Sequence, residues 1–389
     1  MARNRGTPAL LAMTALGFSG YALLLPVSPL WANRGGAGTA GAGAVNGVLM
    51  LFTVLMQPVV PRLIRRWGWG TVMAAGVALL GLPSLAHLLS DGLLPTLALA
   101  AVRGLGFGIL TVTGSAAIAE LVPPERRGRA IGVYGLAIAA PQLVLLPLAP
   151  WVAQTYGFWV VFVAGTLPLL AIGPSLAIGR ILDGVEAARN HPESSEAPAR
   201  PAYLALAAPV TLLLGVTVAG GALLTFIPQA TSSATLTTAS LVALTATATL
   251  SRWRFGALAD RHGVHSFIAP LVVMTSLGMA AIAWSIREPD QTAALWLLLG
   301  MAIVGTCYGG LQNLTLVAAF HVVPQRSYGV ASAVWNMGFD AGTGIGAVLV
   351  GMIAAGTSFS TAFLVAAGLS LLTLPMAIHR TRSVPRPRG

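Results

Sequence analysis

Apolar runs long enough to cross a membrane follow one another along nearly the whole chain. A spanning helix needs about 20 mostly apolar residues. Twelve such runs lie at about 8–31, 42–61, 70–90, 94–119, 128–150, 157–179, 203–228, 235–253, 264–286, 292–319, 328–355 and 358–379. The first run is too long for the apolar core of a cleaved signal peptide. The sequence therefore predicts an all-α membrane protein with twelve transmembrane helices.

The composition excludes several kinds of protein and site. Charged residues make up 8% of the chain, against about 25% in soluble domains. All 22 basic residues are arginines, which excludes a Walker-A phosphate loop and a Schiff-base lysine. The single cysteine, Cys307, excludes an intramolecular disulfide and every multi-cysteine metal site. We therefore expect no cofactor and no bound metal.

The placement of arginine predicts the orientation of the chain. With the N-terminus inside, nineteen arginines fall in inner segments, Arg252 among them, whereas only Arg34 and Arg287 fall outside. Such a bias marks the cytoplasmic side. We therefore expect a multi-pass protein of a cell inner (plasma) membrane with both termini in the cytoplasm. Because the arginines form no basic face, we do not expect nucleic acid as a partner.

The two halves of the chain resemble each other. LVPPERRG at 121–128 corresponds to HVVPQRSYG at 321–329, and PRLIRRWG at 61–68 corresponds to GALADRHG at 256–263. A polar segment rich in Pro, Glu and Ser separates the halves and is typical of a flexible or weakly helical linker. We predict a six-helix bundle at 1–179, a cytoplasmic linker at 180–202 and a second six-helix bundle at 203–389. In proteins built from such repeats, substrate sites lie near the bilayer midplane at the repeat interface.

Over nearly its whole length the chain resembles the major facilitator superfamily of secondary transporters. The resemblance implies two pseudo-symmetric bundles, alternating access and a monomer. Its most specific part is the segment GALADRHG, which matches the superfamily loop signature G-x-L-a-D-R-x-G. The matching residues are Gly256, Leu258, Asp260, Arg261 and Gly263. In the superfamily this loop helps to lock the cytoplasmic side closed, because a carboxylate is stabilised beside a helix N-terminus.

The first-half copy of the loop departs from the signature. Arg65 stands where the aspartate is expected, and Pro61 replaces the leading glycine. Glu120, at the inner end of the fourth run, is a candidate partner for Arg65 or Arg66. We include these three residues in the predicted cytoplasmic gate.

Three further segments resemble subsets of the superfamily. RGLGFG at 103–108 is similar to the R-x-x-x-G pattern of proton-linked members, and WNMGFDAGTGIG at 335–346 is similar to bacterial drug or metabolite exporters. IAAPQL at 138–143 occupies the place of the proton antiporters' Gly-Pro-x-x-Gly-Gly core but lacks the glycine pair. The resemblance thus implies a proton-coupled exporter of the antiporter type.

Two ionisable residues lie within the apolar runs, Arg103 and Asp340. Such residues are rare in membrane helices and often mark proton or substrate pathways. Asp340, about twelve residues into its run, could carry a proton, or could be a neutral acid bonded to helix backbone. Arg103 could instead snorkel or bind carbonyl groups of a neighbouring helix. We assign both residues to proton coupling.

Uncharged polar residues are candidates for the substrate cavity. Each could instead form only interhelical hydrogen bonds. A cavity with few charges favours a weakly polar or amphiphilic substrate. The predicted cavity residues are Tyr21, Gln57, Thr113, Gln142, Gln312, Asn313 and Asn336, with Asn46 also available; the group Gln312, Asn313 and Asn336 is the preferred one.

The sequence favours a secondary active transporter that exports a small amphiphilic compound in exchange for protons. Its expected partners are a small-molecule substrate, the proton and the lipid bilayer. An uptake system or uniporter of the same fold remains an alternative. A membrane-embedded enzyme is a distant one, because the runs offer a lone acid and no histidine at matching depth, and a channel or receptor is equally distant. We therefore expect no enzymatic activity.

Overall fold

The computed structural model describes residues 2–122, 127–188, 200–287, 293–324 and 327–382. Within these ranges the regular secondary structure is helical. The α-helices are α1 (Ala2–Arg34), α2 (Gly38–Met56), α3 (Val60–Ala86), α4 (Leu93–Leu121), α5 (Arg127–Thr155), α6 (Phe158–Ala164), α7 (Ile172–Ala188), α8 (Arg200–Ala230), α9 (Ala234–His262), α10 (His265–Ser285), α11 (Ala294–His321), α12 (Tyr328–Gly356), α13 (Phe359–Leu371) and α14 (Leu374–Arg382).

Twelve helical stretches in the described ranges are long and apolar enough to cross a membrane. Most of them are single helices, but α6 with α7 forms one span and α13 with α14 forms another. The predicted all-α class with twelve transmembrane helices is confirmed.

Two of the apolar runs are broken within the span. The run at 157–179 is interrupted by a 3₁₀ turn at Leu167–Ala171, with Pro168 in its first positions. Proline has no backbone N–H and hinders the turn before it, which explains why α6 stops short. The run at 358–379 divides between α13 and α14 in the same way, with Pro375 in the first turn of α14.

The chain divides into two compact units, Met1–Glu196 and Ala197–Gly389. In the first unit α2 and α3 pack against α4, and α1 packs against α5; in the second, α9 and α10 pack against α11, and α8 packs against α12. The first five helices of each unit therefore pair in the same order. Of the predicted linker 180–202, the part at 189–199 lies outside the described residues. The predicted domain boundaries remain predictions.

Small residues allow neighbouring helices to approach closely within each unit. A Cβ atom added to Gly179 of α7 would overlap the backbone of Gly70 in α3. In the second unit, a Cβ atom added to Gly342 or Gly346 of α12 would overlap α8. Close packing of small residues is a main source of helix association in membranes, where lipid tails remove the hydrophobic driving force.

The two related loops bend at corresponding glycines. Gly68 has a φ of 77° and Gly263 has a φ of 80°, a left-handed region that glycine enters without steric penalty. These are the last glycines of PRLIRRWG and GALADRHG. Each ends the helical loop segment and starts the next membrane helix, α3 after its kink in the first unit and α10 in the second.

Candidate functional site

Asp340 lies on the buried face of α12. Only 4% of its surface is exposed, and it precedes the segment in which Gly342 packs against Thr217 of α8. Thr343, on the following turn, likewise lies against Gly221 of α8. The carboxyl group is therefore set into a tight contact between two membrane helices.

Tyr308 of α11 connects this carboxyl group to a second charged residue. Its hydroxyl group interacts with Thr343 and lies within electrostatic range of both Asp340 and Arg252. Its ring packs where a side chain on Gly220 of α8 would clash. One phenol thus faces a potential anion from α12 and a cation from α9.

Two side chains of α11 form hydrogen bonds with Arg252 of α9. Its guanidinium donates a hydrogen bond to Gln312 Oε1 at 3.3 Å. Asn313 Nδ2 donates to the Arg252 carbonyl oxygen at 2.8 Å. Gln312 is buried, whereas the Arg252 side chain is exposed. The structure therefore brings Gln312 and Asn313, two predicted cavity residues, together around a cation.

A row of aromatic rings adjoins these polar groups. Tyr308 and Phe339 have ring centroids 5.9 Å apart, and Phe339 stacks on Trp335 with the same separation. Trp335 Nε1 donates to Thr315 at 3.0 Å, so its polar end is satisfied within the unit. This arrangement combines an apolar wall with charged groups at one end.

In the first unit, Arg103 is almost completely buried, at 1% exposure. Its Nη2 donates to the carbonyl oxygen of Gly20 in α1 at 3.2 Å, and its Nε has no hydrogen-bond partner among the described residues. Tyr21 lies within electrostatic range of this guanidinium and stacks on Phe107 at 4.0 Å. Arg103 therefore binds a carbonyl of a neighbouring helix, which was the alternative given for it, while its role in proton coupling remains a proposal.

His87, which directly follows α3, is a fully buried neighbour of Arg103. Its Nδ1 is 2.9 Å from the Pro83 carbonyl oxygen and its ring stacks on Phe162. In the described part of the chain, its Nε2 has no hydrogen-bond partner. Two nitrogen-bearing side chains thus lie buried close to each other in the first unit.

The other predicted cavity residues bond mainly to helix backbone. Thr113, Gln142 and Asn336 each donate to a carbonyl of their own helix. Asn46 donates to the Leu25 carbonyl of α1 at 3.0 Å, and Gln57 is buried at the end of α2. The Asn336 bond is to Ser332 of its own helix, α12. It therefore does not connect Asn336 to Gln312 and Asn313, the residues with which it was grouped in the sequence analysis.

The predicted cytoplasmic gate residues lie at the ends of α3, α4 and α9. Gly256 is near Asn313, Arg261 is exposed and Gly263 forms the bend after α9. Asp260 lies in α9, but its side chain is outside the described residues. Arg65 and Arg66 are exposed, with Arg66 5.8 Å over the Trp67 ring. The pairing of either arginine with Glu120 remains a proposal.

Asp183 is a residue that the sequence analysis did not identify. Its Oδ1 accepts a hydrogen bond from the backbone N–H of Trp69 at 2.9 Å, directly after the bend at Gly68. It therefore supplies a carboxylate to the helix start in the half whose loop has Arg65 in place of aspartate. The available signal was an acidic residue four positions after the sixth run, in the predicted linker.

Arg252 is the second residue that was missed. It was counted among the arginines that mark the inner side, and it also falls within a helical stretch that is long and apolar enough to cross a membrane, Ala234–Ala259. The available signal was its position within the run at 235–253.

Comparisons with known proteins agree with this fold. A family model of the Major Facilitator Superfamily matches residues 10–337 and 255–389. An uncharacterized MFS-type transporter, YhcA of Bacillus subtilis (strain 168), is 28% identical over 182 residues, which are 47% of this chain and 32% of that protein. The match thus spans about a third of the length of this curated relative.

Solved structures with similar folds cover almost the whole chain. A D-xylose-proton symporter superimposes with a TM-score of 0.76 at 14% identity, covering 97% of this chain and 98% of the other. A peptide transporter, POT, in complex with sulfate superimposes with a TM-score of 0.71 at 16% identity, covering 97% and 95%. At these identities the similarity establishes the fold.

Proposed function

The chain belongs to the major facilitator superfamily and is a multi-pass membrane transporter; we propose that it exports a small amphiphilic compound in exchange for protons. The observation that carries the proposal is the buried carboxyl group of Asp340 on α12. An ionisable group inside a membrane helix is expensive to keep without a function. Its placement beside Tyr308 supports a role in proton binding.

Asp340 would couple proton binding to the conformation of the transporter. A ligand shifts an equilibrium between two conformations only by the difference in its affinity for them. The close contact between α12 and α8 at Gly342 means that the surroundings of this carboxyl group change if the two helices move relative to each other. A proton on Asp340 would then be held more tightly in one conformation than in the other.

The surroundings of Asp340 support an amphiphilic compound. The partly buried rings of Tyr308 and Phe339 offer apolar surface, and Gln312 and Asn313 offer polar groups on the same helix as Tyr308. Binding sites of this type combine apolar walls with a few placed polar groups.

Replacing the carboxyl group tests the proposal. We expect D340N to abolish proton exchange while leaving the protein folded, because the amide keeps the size of the side chain but cannot ionise. Everted membrane vesicles with an acidic interior would be screened with a compound library at two external pH values. Dissipation of the pH gradient, measured with a fluorescent dye, reports exchange.

D91N is the matched control, since Asp91 lies between α3 and α4, outside the apolar spans. It should behave as the unaltered protein does. If D340N vesicles dissipated the gradient as fast as those with Asp340, the carboxyl group would have no part in coupling.

Uptake of the compound together with a proton is the second candidate, favoured by Arg252 and Asp340 both lying within electrostatic range of Tyr308. A proton on Asp340 would remove its negative charge while Arg252 keeps its positive charge, and this would favour joint binding of a proton and an anion. Right-side-out vesicles with an alkaline interior distinguish the directions: accumulation indicates uptake, and accelerated loss from preloaded vesicles indicates export. A flux that does not depend on the pH gradient indicates a uniporter.

A further inference from the structure

We propose that Arg252 binds the negative group of the transported compound, so that the substrates are amphiphilic organic anions carrying a carboxylate. The inference rests on the proposed function only in taking the chain to move a small compound, and it holds for either direction of transport. It assigns a binding role to a residue that the arginine distribution alone places at the membrane surface.

Arg252 lies about three turns before the end of α9. Arg252, Gln312 and Asp340 are each about 14–18 Å from the same end of their helices, where α9 and α11 finish and α12 begins, at a rise of about 1.5 Å per residue. A cation within a membrane helix is costly unless it is paired or reaches water. The Arg252 side chain is exposed within its unit, which leaves it open to water or to a ligand.

The guanidinium has most of its hydrogen-bonding capacity available. Arginine carries five N–H donors in a planar fork, and in the described part of the chain its side chain has one hydrogen-bond partner, the neutral amide of Gln312 at 3.3 Å. The Asn313 bond to the Arg252 carbonyl fixes the backbone of α9 against α11. The cation is therefore anchored without being neutralised by that partner.

A carboxylate is the group that this geometry suits. Two parallel N–H···O bonds between guanidinium and carboxylate are strong and directional. The partly buried rings of Tyr308 and Phe339 would contact an apolar body attached to the carboxylate, and Trp335 supports Phe339 from behind. Charge at one end and aromatic surface along the side define an amphiphilic anion.

Matched pairs of probes test the inference on the full-length protein in lipid nanodiscs. The probes are naphthaleneacetate with naphthaleneacetamide, and octanoate with octanamide, each pair differing in the charge of its head group. Binding is measured by equilibrium dialysis against empty nanodiscs. We expect at least one carboxylate to bind about tenfold or more tightly than its amide, since hydrogen bonds between ions exceed those of a neutral pair.

Substitutions then locate the binding group. R252Q should remove the preference for the carboxylate, and R252K should retain part of it, because lysine keeps the charge but loses the fork. R254Q is the matched control: Arg254 is on the same helix and lies over the Trp253 ring, and its removal should leave the preference unchanged. If R252Q does not fold, the paired probes on the unaltered protein and R252K still decide the question.

Equal binding of each carboxylate and its amide by the unaltered protein would overturn the inference, as would a preference that survives R252Q or is lost equally in R254Q. These failures differ from failure of the proposed function. Proton exchange that depends on Asp340 without a carboxylate preference leaves the exporter proposal standing. An Arg252-dependent preference without any proton-driven flux removes the exporter proposal alone.

Discussion

Two arginines inside the spans, Arg103 and Arg252, are held by neutral groups of neighbouring helices. Arg103 donates to the Gly20 carbonyl and Arg252 donates to the Gln312 amide. The membrane depth of Arg103 and Asp340 follows from their place in an apolar run, because each residue of a helix advances the chain by a fixed rise. Arg252 was assigned to the membrane surface because the sequence does not distinguish an arginine just inside the end of an apolar run from an arginine just beyond it, which marks orientation.

Asp183 tests how the first-half loop is held. D183A should lower the free energy of unfolding by about 1 kcal/mol, because the Trp69 N–H loses its acceptor at a helix start. D183N keeps an oxygen acceptor and should have a smaller effect. The measurement is the midpoint of unfolding in detergent for the three proteins. Identical midpoints for D183A and the unaltered protein would show that the bond does not stabilise the loop.

Hydropathy predicts the membrane-spanning stretches but not the helix breaks inside two of them. The length and number of spans follow from the thickness of the bilayer. Proline alone does not reveal where a helix stops: Pro141, Pro147 and Pro150 lie inside α5, whereas Pro168 begins a 3₁₀ turn that ends α6. Neighbouring helices can satisfy the backbone groups that a proline frees, so the outcome depends on tertiary contacts that the pattern does not contain.

The contact between α8 and α12 gives a prediction at the same scale. G342A should destabilise the protein by about 1–3 kcal/mol, since its Cβ would overlap Thr217. G135A is the control, because Gly135 lies within α5 and a Cβ there meets open space. Unfolding midpoints of both variants in detergent provide the comparison. A G342A protein as stable as G135A would show that this contact tolerates a wider spacing.

At the level of the whole molecule, the two units share the pairing of their first five helices but carry different charged residues. Arg103 and His87 belong to the first unit, and Arg252 and Asp340 belong to the second. The repeated loop sequences made the six-helix repeat predictable, because helices with the same order and similar ends pair alike. The distribution of charges was not predictable from the repeat.

Orientation in the membrane is testable with cysteine labelling, because the natural cysteine, Cys307, is buried. In a C307S background, R34C and R287C should react with a membrane-impermeant maleimide on intact cells. R66C and R261C should react only after permeabilisation, as the arginine bias predicts. Labelling of all four positions from the same side would contradict an arrangement with both termini in the cytoplasm.

Two buried nitrogen atoms, Arg103 Nε and His87 Nε2, have no hydrogen-bond partner among the described residues, and this bears on how heat-tolerant the molecule can become. An unsatisfied buried polar atom lowers stability by about 1–3 kcal/mol. Selection for thermostability alone, with transport left unscreened, should therefore enrich apolar replacements at His87. Recovery of such replacements only when transport is not demanded would mark this pair as a feature retained for activity at the expense of stability.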